Sequence, residues 1–179
     1  MDLKKRLNLG QSKMQTHEVV DYVNGIPNRF KELIEVFLAG PYRVTQHAAW
    51  PLSICVEKWP YLIDPHLGKV LKALGKPGIH DAVTRNTMRL LQFIDIPKRY
   101  RGAVAELCFA YLQNPKQAVA IRVFSMSVLA NICVHEPELK QELKIILEDQ
   151  LPFGTAGFKS RATKVLKMLE RSADGKARK

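Results

Sequence analysis

The chain has 179 residues, enough for one ordinary domain with a real core, and 46% of them are hydrophobic, a normal share for a globular protein. No run approaches the roughly 18 apolar residues that span a bilayer, and the basic start MDLKKRLNLGQSK has neither the apolar stretch nor the cleavage site of a secretory signal. The net charge of +11 sits mainly at the ends: +3 in residues 1–13 and +6 in residues 159–179, leaving +2 for everything between.

Residues 1–14 read as a basic, flexible N-terminus. The first helical pattern is THEVVDYVNGIP (16–27), where Val19, Val20 and Val23 suit a capping helix. Beyond it, Pro41, Pro60, Pro77, Pro97, Pro115, Pro137 and Pro152 recur every 15 to 22 residues. Proline belongs at helix starts and in turns and is disfavoured inside helices, so these positions divide helix-length segments. Asn-Gly or Asp-Gly turns flanked by alternating β-branched residues are absent, so the expected class is all-α.

Four segments align without gaps: VTQHAAWPL from Val44, VTRNTMRLL from Val83, IRVFSMSVL from Ile121 and FKSRATKVL from Phe158. They start 39, 38 and 37 residues apart. Each places a large apolar residue, a small one four later and a leucine four after that: Val44/Ala48/Leu52, Val83/Thr87/Leu91, Ile121/Ser125/Leu129 and Phe158/Ala162/Leu166. That spacing keeps the three on one helical face, and the small middle residue admits a neighbouring helix closely. An amphipathic helix precedes each segment: 30–38, 66–74, 103–112 and 138–147. A helix pair of this size cannot bury its apolar face alone, so pairs must stack.

The pattern resembles the HEAT/armadillo-like family of α-solenoids. VTQHAAWPLSI and IRVFSMSVLANI are similar to that family's second-helix pattern V-R-x-x-A-A-x-x-L-G, with Arg122 and Lys159 at its basic position and Thr45 departing from it. The resemblance covers about residues 30–170 and implies a short right-handed α-α superhelix, about four helix pairs plus the N-terminal cap. The domain plan is then 1–14 as the flexible start, 15–171 as a single solenoid domain and 172–179 as a basic tail. One oddity is Pro51, which falls inside the first unit's second helix and should remove a backbone hydrogen bond and kink it.

LPFGTAGFKSR, from Leu151, looks at first like a phosphate loop. Such a loop needs glycine just before the lysine and again six residues before it, but Phe158 and Phe153 stand there. It is read as the turn into the last second helix. Cys55, Cys108 and Cys133 lie in apolar runs without C-x-x-C spacing, which points to reduced, buried thiols in a cytoplasmic protein. The five histidines show no metal-ligating spacing, and no triad or paired catalytic carboxylates stand out. No cofactor, metal or membrane partner is expected.

In HEAT-like solenoids the second helices usually line the concave, partner-binding face. By that resemblance the candidate binding residues are His47, Trp50, Arg85, Arg89, Arg122, Lys159, Arg161 and Lys164. The competing reading of the cations is a solvated edge, with arginine stems covering apolar surface. Trp50 is expected to fill core, although with Met88 it is the candidate for an outward apolar patch. KRYR (98–101) is a basic cluster with Lys98 and Arg99 expected in the loop before a helix.

Two functions compete. One is a non-enzymatic module binding another protein on the second-helix face; the other is a nucleic-acid-binding protein like the alkylpurine DNA glycosylases, which are built from HEAT-like repeats. Those enzymes carry a concave tryptophan with an aspartate and an arginine. Here Trp50 and Arg85 could match, but Glu57, Asp64 and Asp81 fall in turns or near helix ends, so no catalytic acid is carried over. Capped ends suggest a monomer.

Overall fold

Proline and capping side chains set the helix starts. In the computed structural model, which describes residues 1–75 and 78–174 with side chains as far as Arg171, the regular elements are all helical. Pro77 and the basic tail 172–179 lie outside what is described in full. Ten α-helices follow in order: α1 (Leu3–Asn8), α2 (Lys13–Val23), α3 (Pro27–Ala39), α4 (Tyr42–Lys58), α5 (Leu67–Leu74), α6 (Asp81–Leu91), α7 (Lys98–Gln113), α8 (Val119–His135), α9 (Lys140–Gln150) and α10 (Ala156–Asp174). Pro27 is the first residue of α3, and Pro41 and Pro97 are the N-caps of α4 and α7. Pro60 and Pro137 open short 3-10 turns, and Pro152 lies within another. At these places the missing N–H costs nothing, because the first turn has no acceptor for it. The Ser12 hydroxyl accepts from the Gln15 amide at 3.1 Å to start α2, which ends on left-handed Asn24.

Contacts divide the chain into two compact units, Met1–Ile94 and one beginning at Asp95, where the sequence reading has a single domain over 15–171. In the first, α4 is the centre: α1, α2, α3 and α6 all pack on it, and α5 bridges α3 and α6. In the second, α8 has that place, with α7, α9 and α10 around it. The repeats are therefore the pairs α3/α4, α5/α6, α7/α8 and α9/α10.

The repeat's face forms the cores of both units. Val44, Ala48, Leu52, Val83, Thr87, Leu91, Ile121, Ser125, Leu129, Phe158 and Ala162 are all buried, and Leu166 is half-buried. Each large apolar side chain so buried contributes about 1.5–3 kcal/mol. Ala48 and Ala162 are fully enclosed, as close helix approach requires. The Thr87 hydroxyl, in the same register, has no hydrogen-bond partner among the described residues. Thr87→Val keeps the shape and removes an unpaired buried hydroxyl, so urea melts should show stabilisation by about 1 kcal/mol; a loss would mean that the hydroxyl has a partner.

Three local readings need correction. Residues 1–14 are not a flexible start, since α1 buries Leu3 and Leu7 against α3 and α4, and Arg6 pairs with Glu18 of α2. Lys98 and Arg99 do not precede α7 but form its first turn. The helix dipole disfavours cations there by about 0.3–1 kcal/mol each; the third of them, Arg101, is matched within the fold, donating to the Ile96 carbonyl at 2.8 Å and pairing with Asp95 at 3.5 Å and Glu136 at 3.3 Å. Met88 is fully buried, so it supplies no outward patch. Pro51 sits inside α4 as expected; it cannot donate to the His47 carbonyl, yet the helix continues unbroken to Lys58.

Candidate functional site

The eight second-helix candidates have different surroundings, decided by what lies on the neighbouring helix. In the first unit, His47 Nδ1 is 2.7 Å from the Leu7 carbonyl, so this ring ties α4 to the end of α1. Trp50 is half-buried, between the expected core position and an exposed one. Arg89 reaches back from α6 to α4, donating to Glu57 at 2.5 Å and to the Ser53 hydroxyl at 3.3 Å. Its charge is thereby matched within the fold. Arg85, one turn earlier on α6, is exposed. Trp59 packs on the turn between α2 and α3; a Cβ at Gly25 would lie 3.0 Å from its indole nitrogen, and Gly25 itself has φ +72°. Glycine is required there for both reasons.

In the second unit, Arg122 turns inward. It donates to the Leu112 carbonyl at 3.2 Å and to Gln150 at 2.7 Å, and its guanidinium carbon lies 4.8 Å from the centre of the Phe158 ring. Burial lowers its pKa from the ordinary arginine value, though a guanidinium remains charged in such a place. Lys159 and Lys164 are exposed on α10, and Arg161 is half-buried with a 2.8 Å hydrogen bond to the Ser127 hydroxyl of α8.

Arg161 and Lys164 line an open groove of about 380 Å³ with Ser127, Ala130, Asn131, Val165 and Met168. The structure therefore brings two of the candidates together, and Lys159 is not among the lining residues. Ser127, Asn131 and Met168 were missed by sequence reasoning. Ser127 and Asn131 are four apart in the run VFSMSVLANICV, where Ser125 belongs to the repeat's buried register, and that remaining i, i+4 polar pair is the signal that could have found them. Another groove, of about 460 Å³ between α7 and α9, has the opposite character: Glu106, Glu136, Glu138 and Glu142 line it with Lys98, Arg101 and Phe109.

The stretch that imitates a phosphate loop is a turn. Leu151–Phe153 forms a 3-10 turn and α10 starts at Ala156. Phe158 is packed inside, and a Cβ on Gly154 would come within 2.6 Å of its ring. The glycine is there to admit the phenylalanine.

The thiols of Cys55, Cys108 and Cys133 are free and buried. Burial pushes Cys55 up to about 12 and Cys133 up to about 11, and raises Cys108 as well. A nucleophilic thiolate is therefore disfavoured at each. A disulfide reagent at pH 8 should leave the native protein unmodified and react with all three in guanidinium. Since these pKa values are raised on folding, the thiols do not alter stability below the unfolded pKa of about 8.5. Stability should then fall as pH rises from there toward about 12.

Among the described residues, no helix is long and apolar enough to cross a membrane, and no group of three or more His, Cys, Asp or Glu side chains is arranged to hold a metal ion. No curated protein and no solved structure matches the chain. The model of one family, described as the HEAT repeat domain, matches residues 3–169. With four helix pairs and their shared buried register within that span, the chain belongs to the HEAT repeat family.

Proposed function

We propose that the chain is a non-enzymatic scaffold that binds another protein through the faces of its second helices, and that it works as a monomer in the cytoplasm. The observation that carries this reading is the way the arginines are used. Arg89 is neutralised by Glu57, and Arg122 is directed at a carbonyl, an amide and an aromatic ring inside its unit. Duplex binding needs a series of cations facing phosphates, and these two are engaged elsewhere. The surface left by α8 and α10 mixes cations, a hydroxyl, an amide and apolar side chains, a composition suited to protein recognition.

Nucleic-acid binding is the second reading, favoured by the net charge of +11 and by exposed Arg85, Lys159 and Lys164. A glycosylase site gains no support, because Glu57, the candidate acid nearest Trp50 in sequence, is held by Arg89. Fluorescence anisotropy of labelled duplex DNA, single-stranded DNA and structured RNA across a salt series separates the readings. The scaffold reading expects weak binding that vanishes at physiological salt. It also expects a protein captured from the native cell, lost when Arg85, Lys159 and Lys164 are changed to Glu. Micromolar nucleic-acid affinity falling steeply with salt, abolished by the same changes and without such a protein, would sink it.

A further inference from the structure

The first unit has a pocket of about 220 Å³ at the turns of its first two repeats, and none of the eight second-helix candidates lines it. Phe37 of α3 and Val83 of α6 are its buried residues, while Leu38, Ala73 and Ile79 are half-buried apolar walls. Three side chains with polar atoms complete the lining: Tyr42, Thr45 and His80. Among the described residues no Asp, Glu, Lys or Arg lines it.

Two of the three polar groups are already held by the fold. The Thr45 hydroxyl donates to the Gly40 carbonyl at 3.2 Å. His80 is the N-cap of α6, and its Nδ1 accepts from the Ala82 amide at 3.0 Å. A nitrogen that accepts carries no proton, so the ring's one N–H is at Nε2. That N–H has no acceptor among the described residues. The ring is also held from the side, edge to face with Tyr42 at 5.6 Å and 73°. The result is one oriented hydrogen-bond donor in a lining that is otherwise apolar and aromatic.

We propose that this pocket binds a phenolic ring, whose oxygen accepts from His80 Nε2–H while the ring lies among the apolar walls. Size sets the first limit. A cavity of about 150 Å³ holds benzene, so this one takes a single substituted ring and falls short of the roughly 300–1,000 Å³ of a drug-sized site. The uncharged lining opposes an ionic ligand, which would lose its hydration without a counter-charge. The unused donor calls for an acceptor, and the rings of Phe37, Tyr42 and His80 offer edges and faces to an aromatic occupant. The phenol belongs to a tyrosine of a partner protein or to a free small molecule, and the test separates the two. The pocket stands apart from the second-helix faces, so it goes beyond the protein-binding reading above.

The test titrates the full, isotope-labelled chain with p-cresol, toluene and N-acetyltyrosine amide, following amide chemical shifts. p-Cresol should move the amides of Gly40, Gly78 and Ile79 saturably, with a Kd of about 1 mM or tighter. It should bind more tightly than toluene, although it is the less hydrophobic of the two. His80→Asn keeps an acceptor for the cap of α6 and removes the Nε2–H; it should weaken p-cresol about fivefold and leave toluene unchanged. Ala73→Leu fills the pocket from α5 and should weaken both ligands at least about tenfold. Both variants should melt like the parent chain. N-acetyltyrosine amide moving the same amides would assign the ring to a tyrosine side chain; its failure beside p-cresol binding would assign a free phenol.

An absence of saturable shifts at these amides, or binding unchanged by Ala73→Leu, would overturn the pocket. Tighter binding of toluene by the parent chain, or an equal loss of both ligands in His80→Asn, would overturn the phenol.

Discussion

Phe158→Ala should destabilise the protein by about 3–5 kcal/mol, lowering the melting temperature of the affected transition by about 10 °C. The ring is 1% exposed and takes the first position of the last repeat's buried face. Truncation removes its buried area and leaves a cavity beneath the turn at Gly154, where the backbone has come close because glycine has no Cβ. It also strips the aromatic face from under Arg122. A thermal melt followed by circular dichroism, with urea titration for the free energy, measures the loss. A change below about 0.5 kcal/mol would match an exposed loop residue and contradict the packing of α10 on α8.

Arg122→Ala should cost about 2–3 kcal/mol, whereas Arg85→Ala should stay within about 0.5 kcal/mol. The two arginines occupy second helices of successive repeats and look alike in sequence, but their surroundings differ. Removing the Arg122 side chain leaves the Leu112 carbonyl and Gln150 without this donor and uncovers Phe158, while Arg85 projects into solvent. Urea denaturation of both variants at equal protein concentration decides the matter. Equal effects would place Arg122 on the surface as a binding residue. The difference also bears on binding experiments: a charge reversal at Arg122 would disturb folding and imitate a loss of binding. Arg85, Lys159 and Lys164 are the informative positions.

The helix pairs were legible because their signals are local and repeated. A large residue, a small residue and a leucine at four-residue steps, recurring every 37–39 residues, can satisfy one geometry, in which that face packs on a neighbouring helix. Prolines reinforced the boundaries for the stereochemical reason that they cannot continue a helix's hydrogen-bond ladder. The N-terminal helix was not legible. LKKRLN offers a single apolar pair, Leu3 and Leu7, within six residues, and so short a helix has no stability of its own. It exists because α3 and α4 cover that pair and Glu18 meets Arg6. The start of α7 was misread for a similar reason. Lys98 and Arg99 disfavour a helix N-terminus by themselves, and the Arg101–Glu136 contact that helps to fasten this turn spans 35 residues.

The class, the repeat, the register of the buried face and the structural nature of the glycine-rich turn could all be read from the residues, since each follows from periodicity and steric rules acting over a few positions. The sequence could not say what each cation does. Arg89 meets Glu57 across 32 residues, Arg122 meets Gln150 across 28 and Arg161 meets Ser127 across 34. Such pairings depend on which helices become neighbours and at what offset, a result of burying all the apolar faces at once. Which basic side chains are committed to holding the fold, and which line a groove, follows from that packing.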